Sequence, residues 1–316
     1  MGLITRLALC IPLAACLATG GCGWRVETTI VDQSQSEIPA GVLTIGSVSL
    51  NPAREYQVFR PLANHLASKM GDVGIGRGRV VVVDSLRKMI EELNAGRVDV
   101  YIDSPFPIGF VLQRSEIRVL LRRWKRGSDV YRSVIFGRVD SGIESIGDLP
   151  GHVIAFGEPF STSGYLMPKA ALAASELNLM NYEDPAASVP ADEVGYVFSD
   201  DAENTMVWVL KKKVAAGAVN EDYFQELAGS RFAELKILHR TESVPRNIVC
   251  VRSSLDASVT GALTTILLGM EGDEEGRLVL QGFEETTRFD RFPDGPESAL
   301  EKVVALLAFV EEDLGK

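Results

Sequence analysis

The chain is poor in three things that would announce chemistry: cysteine, histidine and an excess of positive charge. Of its 4 cysteines, Cys10, Cys16 and Cys22 fall in the N-terminal stretch, which leaves Cys250 alone in the rest of the chain. That excludes a disulfide framework, and Cys250, inside Ile248-Val249-Cys250-Val251, reads as a small buried hydrophobe. The 3 histidines, His65, His152 and His239, are scattered and have no metal-ligand spacing. No metal and no other cofactor is expected. A nucleophile elbow and a phosphate-binding loop are also missing, so the residues do not read as an enzyme. Gly74-x-Gly76-x-Gly78 precedes a strand instead of following one, which makes it a turn and not a nucleotide fingerprint. The formal net charge is −11 and the pI about 4.9, so nucleic acid and anionic membrane surfaces are excluded as partners. An anion could be held only by local N–H and O–H donors, because the bulk field repels it.

The N-terminus also lacks an apolar run long enough to span a bilayer. Arg6 precedes the run Leu7 to Ala18, which ends in Thr19-Gly20-Gly21 before Cys22. Residues 1–21 resemble a bacterial lipoprotein signal, with Cys22 as the residue that carries lipid. Leu13-Ala14-Ala15-Cys16 fits the cleavage pattern better but leaves only a short apolar run after Arg6, so Cys22 is preferred. Residues 22–40, rich in Ser, Gln, Glu and Thr without periodicity, read as a flexible tether. The expected location is the periplasmic or cell-surface side, anchored to a membrane through lipid on Cys22.

At 316 residues and 46% hydrophobic, the chain is long and apolar enough for two domains. Strand-like and helix-like stretches alternate: Val42 to Val48, Glu55 to Met70, Arg79 to Val83, Ser85 to Asn94, Val98 to Ile102. This order predicts α/β architecture, with mainly parallel sheets flanked by helices. Ligands of such sheets bind beyond the carboxyl ends of strands. Asp103 and Ser104, after the strand ending at Ile102, are therefore cleft candidates, and Ser85, after Val83, is another. A plain helix N-cap is the competing reading of both serines. The basic run Arg122-Arg123-Trp124-Lys125-Arg126 comes after a strand expected over Ile117 to Leu121 and reads as a solvated face at a domain crossover.

The stretch around which the rest is organised is Glu158-Pro159-Phe160-Ser161-Thr162-Ser163-Gly164-Tyr165-Leu166. A buried strand, His152 to Phe156, precedes it, and a helix is expected over Leu166 to Leu177. Three hydroxyl residues thus stand where a strand hands over to a helix. The first turn of that helix presents unpaired N–H groups and the positive end of its dipole. Together they suit a tetrahedral oxyanion.

Tyr131-Arg132-Ser133-Val134-Ile135-Phe136, Asp140-Ser141-Gly142-Ile143, Asp148-Leu149, Ile154-Ala155-Phe156 and Ser161 to Leu166 occur in one order and spacing. Together they resemble the phosphate-, phosphite- and phosphonate-binding proteins of ABC importers, the PhnD-like group, from about Val42 to Val251. The resemblance implies a type II periplasmic-binding-protein fold with a ligand cleft between two lobes. One lobe is expected from residues 41–128 and 246–316, the other from 129–245. It further implies that Ser161, Thr162 and Ser163 bind the phosphonyl group. The family's strand-end aromatic falls on Asp103, a second aromatic on Leu86, and a histidine on Ala202, with Glu203 and Asn204 beside it. A carboxylate that holds an amino group matches Asp222, and a second one becomes Asn247. The resemblance implies a monomer that captures a small oxyanion by closure and hands it to an ABC permease in the membrane. The alternative is the receptor component of a membrane sensor system, which uses the same closure.

Overall fold

The computed structural model describes residues 30–31 and 41–310. The signal, Cys16, Cys22 and most of the tether lie outside the described residues. Within the stretch read as tether, β1 (Ile30–Val31) pairs antiparallel with an edge of the first sheet, Ile30 opposite Val82.

In the first lobe β2 (Val42–Val48) is buried along its whole length, as a central strand must be. Helix α1 (Pro52–Ser68) begins after Asn51, whose side chain accepts from the Arg54 N–H, with Pro52 in its first turn. Phe59, Leu62, Ala63 and Leu66 recur on one helical face and bury against the sheet. Next along the chain are β3 (Arg77–Val83), α2 (Leu86–Asn94), β4 (Val100–Asp103), α3 (Pro105–Leu112) and β5 (Ile117–Lys125). A short crossing strand, β6 (Val130–Tyr131), leads to the second lobe.

The second lobe comprises β7 (Ser133–Arg138), β8 (Val153–Phe156), α4 (Met167–Ala174), β9 (Asn178–Asn181), β10 (Glu193–Phe198), α5 (Ala202–Leu210), β11 (Ala216–Asn220), α6 (Glu221–Ala228) and β12 (Leu235–Arg240). The chain returns through β13 (Val244–Pro245) and adds β14 (Ile248–Arg252), α7 (Ala257–Gly269), α8 (Glu274–Gly282), β15 (Thr286–Asp290) and α9 (Pro296–Leu306). Among the described residues the sheets run β1-β3-β2-β4-β14-β5-β15 and β12-β7-β11-β8-β10-β9, with β13 and β6 paired separately. The parallel ladders β3-β2-β4 and β11-β8-β10-β9 are each continued by antiparallel strands. In the crossing pair Tyr131 lies opposite Val244. This is the two-lobed periplasmic-binding-protein fold. One apolar core runs unbroken from Phe106 and Ile108 of the first lobe through Tyr131 to Phe156 and Tyr165 of the second.

Three local expectations are corrected. Arg122 to Lys125 of the basic run are no solvated face but the end of β5, with Arg126 exposed just beyond it: Arg123 is 1% exposed, and its guanidinium donates to Thr286 Oγ1, the Phe283 carbonyl and Glu284. Arg122 is tied to Asp129 and Asp290. The strands β9 and β15 went unread because β9 has only four residues, two of them Asn, and β15 is largely polar or charged. The helix after the central stretch starts a turn early, at Thr162, as a π-helical turn over Thr162–Leu166 that feeds α4.

Gly78 is where α1 presses on β3. A Cβ there would stand 2.3 Å from the Ala63 carbonyl carbon and oxygen. Gly78→Ala must push the helix off the sheet, an overpacking cost of about 1–3 kcal/mol. Gly76, with open space around it, serves as control. A lower denaturation midpoint is expected for Gly78→Ala only, and equal midpoints for the two variants would contradict this packing.

Candidate functional site

Strand β8 ends at Phe156, and the backbone turns through Gly157 to Ser161 before the helix begins. Ser161 is the N-cap: its Oγ accepts the Gly164 N–H at 3.0 Å. A side chain at Gly164 would meet Ser161 Oγ at 2.8 Å and Gly157 Cα at 3.4 Å. The close approach this glycine permits is to its own chain. The Ser163 carbonyl is fixed by the Ser133 hydroxyl at 2.6 Å, while the Ser163 hydroxyl makes no intrachain hydrogen bond among the described residues. The hydroxyl protons of Ser161 and Ser163 therefore have no intrachain acceptor among the described residues.

Thr162 points the other way. It is 1% exposed, and its Oγ1 accepts the Phe106 N–H of the first lobe at 2.9 Å and donates to Ser104 Oγ at 2.9 Å. Ser104 in turn donates to Asp103 at 3.3 Å, and Asp103 also takes the Ser104 N–H at 2.6 Å and the Tyr101 hydroxyl at 2.8 Å. Both oxygens of Asp103 are thus engaged by neighbouring residues. Tyr131, on the crossing strand, completes this cluster with its hydroxyl toward Thr162 and Ser104.

Acidic groups surround the cradle. Burial pushes Glu55, Asp103 and Glu158 each up to about 7. For Glu158, which opens the cradle loop, Asp201, Glu55 and Asp200 add repulsion. Glu55 opens α1, takes the Ser47 hydroxyl at 2.6 Å, and feels Glu284 on one side and Arg123 and Lys125 on the other. Burial would also raise Glu284, but Lys125 and Arg123 outweigh it and hold the carboxyl down at about 2. Of the cations nearby, Lys125 pairs with Glu284 at 3.0 Å, and Arg246, 2% exposed, lies beside Asp222. Arg246 lies 5.0 Å from the Tyr131 ring, and neither its Nε nor its Nη2 has a hydrogen-bond partner.

The residues singled out from sequence therefore separate. Ser161, Thr162, Ser163, Asp103 and Ser104 come together. Ser85 is the N-cap of α2 and accepts the Lys88 N–H, the plain structural role. Glu203 and Asn204 are exposed at the rim, Glu203 3.9 Å from Arg54 of the opposite lobe and Asn204 bonded to Ser199 and Asp201. Asp222 lies beside the Arg246 guanidinium. Asn247 accepts the Arg123 N–H on its backbone carbonyl at 2.9 Å, a sheet bond. Glu55, Tyr101, Glu158 and Arg246 went unread. Tyr101 was legible, since alternation along β4 puts it on the same side as Asp103. No group of His, Cys, Asp and Glu among the described residues could hold a metal ion, and no described helix is long and apolar enough to cross a membrane.

Comparison with known proteins bears on the family and the fold. A family model described as the periplasmic substrate-binding protein of phosphonate ABC transporters matches residues 47–294. XAC2383 from Xanthomonas citri, solved bound to chloride, is 27% identical with a TM-score of 0.82, over 87% of this chain and 100% of that one. Its ATP-bound form gives 27% identity and a TM-score of 0.80, over 86% of this chain and 99% of that one. PhnD1 from Prochlorococcus marinus, in complex with methylphosphonate, shares the fold at 17% identity and a TM-score of 0.66, over 85% of this chain and 99% of that one.

Proposed function

We propose that this chain, which belongs to the periplasmic substrate-binding proteins of phosphonate ABC transporters, captures a phosphonate-, phosphite- or phosphate-type oxyanion between its lobes and delivers it to a membrane permease. The observation that carries the reading is the pair of free hydroxyl donors, Ser161 and Ser163, at the start of a helix in the second lobe. Neutral donors suit an anion site in a chain of net charge −11, whose bulk field repels the ligand. Closure of the lobes excludes water and strengthens each hydrogen bond. Chemical turnover is no part of this role.

The ligand's size is a separate matter. The relative from X. citri is bound to ATP, so the phosphorus group could terminate a larger molecule. A thermal-shift screen with phosphate, phosphite, methylphosphonate, aminoethylphosphonate, ATP, sulfate and taurine separates these classes. A ligand at about 100 times its dissociation constant stabilises by about 2.7 kcal/mol, a shift of several degrees. Stabilisation by a phosphorus oxyanion and not by sulfate or taurine supports the reading. No shift with any of them overturns it.

The second part of the proposal is a lipid anchor on Cys22. Cys22→Ala is expected to move the exported chain from the membrane fraction to the soluble fraction. A membrane fraction that keeps Cys22→Ala but loses Cys16→Ala would transfer the anchor to Cys16.

A further inference from the structure

Three consecutive side chains that the family resemblance treats as one binding element face two different ways, and the reason starts with α3. The first turn of a helix leaves its N–H groups without intrahelical acceptors. In α3 two of these donors do not exist, because Pro105 and Pro107 have no N–H. Ile108 is the first residue to bond back, to the Ser104 carbonyl at 3.3 Å. Phe106 therefore carries the one orphan donor of this turn. Its own N-cap residue does not satisfy it, since Ser104 makes no side-chain cap bond. The acceptor comes from the opposite lobe, as Thr162 Oγ1.

We propose that Thr162 is a closure residue, dividing the Ser-Thr-Ser element into two ligand-facing hydroxyls and one lobe-to-lobe latch. Naming the ligand-facing pair rests on the function proposed above. The latch itself rests on geometry alone. Thr162 uses both its acceptor and its donor on the first lobe, at 2.9 Å each, so its hydroxyl has no proton left for a ligand. The donor chain then runs in one direction, from Phe106 N–H through Thr162 and Ser104 to the Asp103 carboxyl, where the Tyr101 hydroxyl also ends. A chain ending on one acceptor is polarised along its length, so its links reinforce one another. Parting the lobes would exchange these hydrogen bonds for bonds to water and expose the continuous apolar core around Phe106, Tyr131 and Tyr165. The lobes are therefore held together without ligand, and the ligand adds to a closure that the chain already favours.

The test uses the unliganded chain, with Thr162→Val as the isosteric variant lacking the hydroxyl and Thr162→Ser as the variant that keeps it. In Thr162→Val the loss of two hydrogen bonds should raise exchange of the Phe106 amide proton about 5- to 150-fold. Solution scattering should show a larger radius of gyration than wild type, restored by Thr162→Ser. A lone capping bond without a closing role would change Phe106 exchange but leave the scattering at the wild-type value, and that result overturns the proposal. Titration with methylphosphonate and with phosphate supplies a second arm. If Thr162→Val loses affinity as Ser163→Ala does while its scattering matches wild type, Thr162 is a ligand residue and the latch is refuted. If neither probe binds wild type, the functional reading fails, while the exchange and scattering arm still decides the latch.

Discussion

Replacing Ser161 and Ser163 together by alanine is expected to remove oxyanion capture while leaving the fold in place. A hydrogen bond to a charged group contributes about 1.5–3 kcal/mol, so the pair accounts for about 3–6 kcal/mol, or a factor of about 10²–10⁴ in affinity. The single variants should differ in a second property. Ser161 also caps its helix through the Gly164 N–H, so Ser161→Ala additionally lowers the stability of the unliganded chain by about 1 kcal/mol. Ser163 has no such bond among the described residues, so Ser163→Ala should weaken binding at unchanged stability. Calorimetric titration with whichever oxyanion stabilises the wild type measures the first effect, and denaturant unfolding the second. Retention of wild-type affinity in the double variant would remove the hydroxyl cradle from the proposed function.

These residues could be read from sequence because the signal was local. A buried strand, three hydroxyl residues and an Ala-rich helix stand in succession, and each has a short-range physical cause. The orientation of the three hydroxyls could not be read in the same way. It depends on the π-helical first turn and on two distant prolines, in α3, whose missing N–H groups leave Phe106 seeking an acceptor. The basic run misled for a related reason. Arg122 and Arg123 look solvated by composition, yet Asp290 and Thr286 from β15, far along the chain, let them enter the sheet as paired cations. Asp222 shows the same limit: the resemblance implies a carboxylate that holds a ligand amine, and only the fold sets Arg246 from the crossing segment beside it. Local hydrogen-bond chemistry is legible in sequence. Which distant charge neutralises which is a property of the fold.

The acidic cleft leads to the other large effect, on pH. Glu55, Asp103 and Glu158 sit at about 7, against ordinary values of 4.5, 3.8 and 4.5. Each binds its proton more tightly in the folded chain than in the unfolded one. Their contribution to stability is fully present below the ordinary carboxyl range and is lost as pH rises to about 7. For Glu158 the difference corresponds to at most about 3 kcal/mol, and the three do not add independently, because each charge hinders the next. Glu284 works in the opposite sense. Lys125 and Arg123 hold it at about 2, so its contribution is present above the ordinary range and is lost as pH falls toward 2. The two trends place maximal stability on the acid side of neutral, near the ordinary carboxyl range. The melting temperature should therefore fall between pH 5 and pH 8. Glu158→Gln should flatten that fall, standing above wild type at pH 8 and no higher than wild type at pH 5. A melting temperature that is level or rising over this interval would contradict the buried-acid account. The same ionisation governs binding, since each carboxylate that loses its proton beside Ser161 repels the incoming oxyanion. Affinity should weaken as pH rises through 7 and weaken less in Glu158→Gln, which ties the protonation of the cleft to ligand capture as well as to stability.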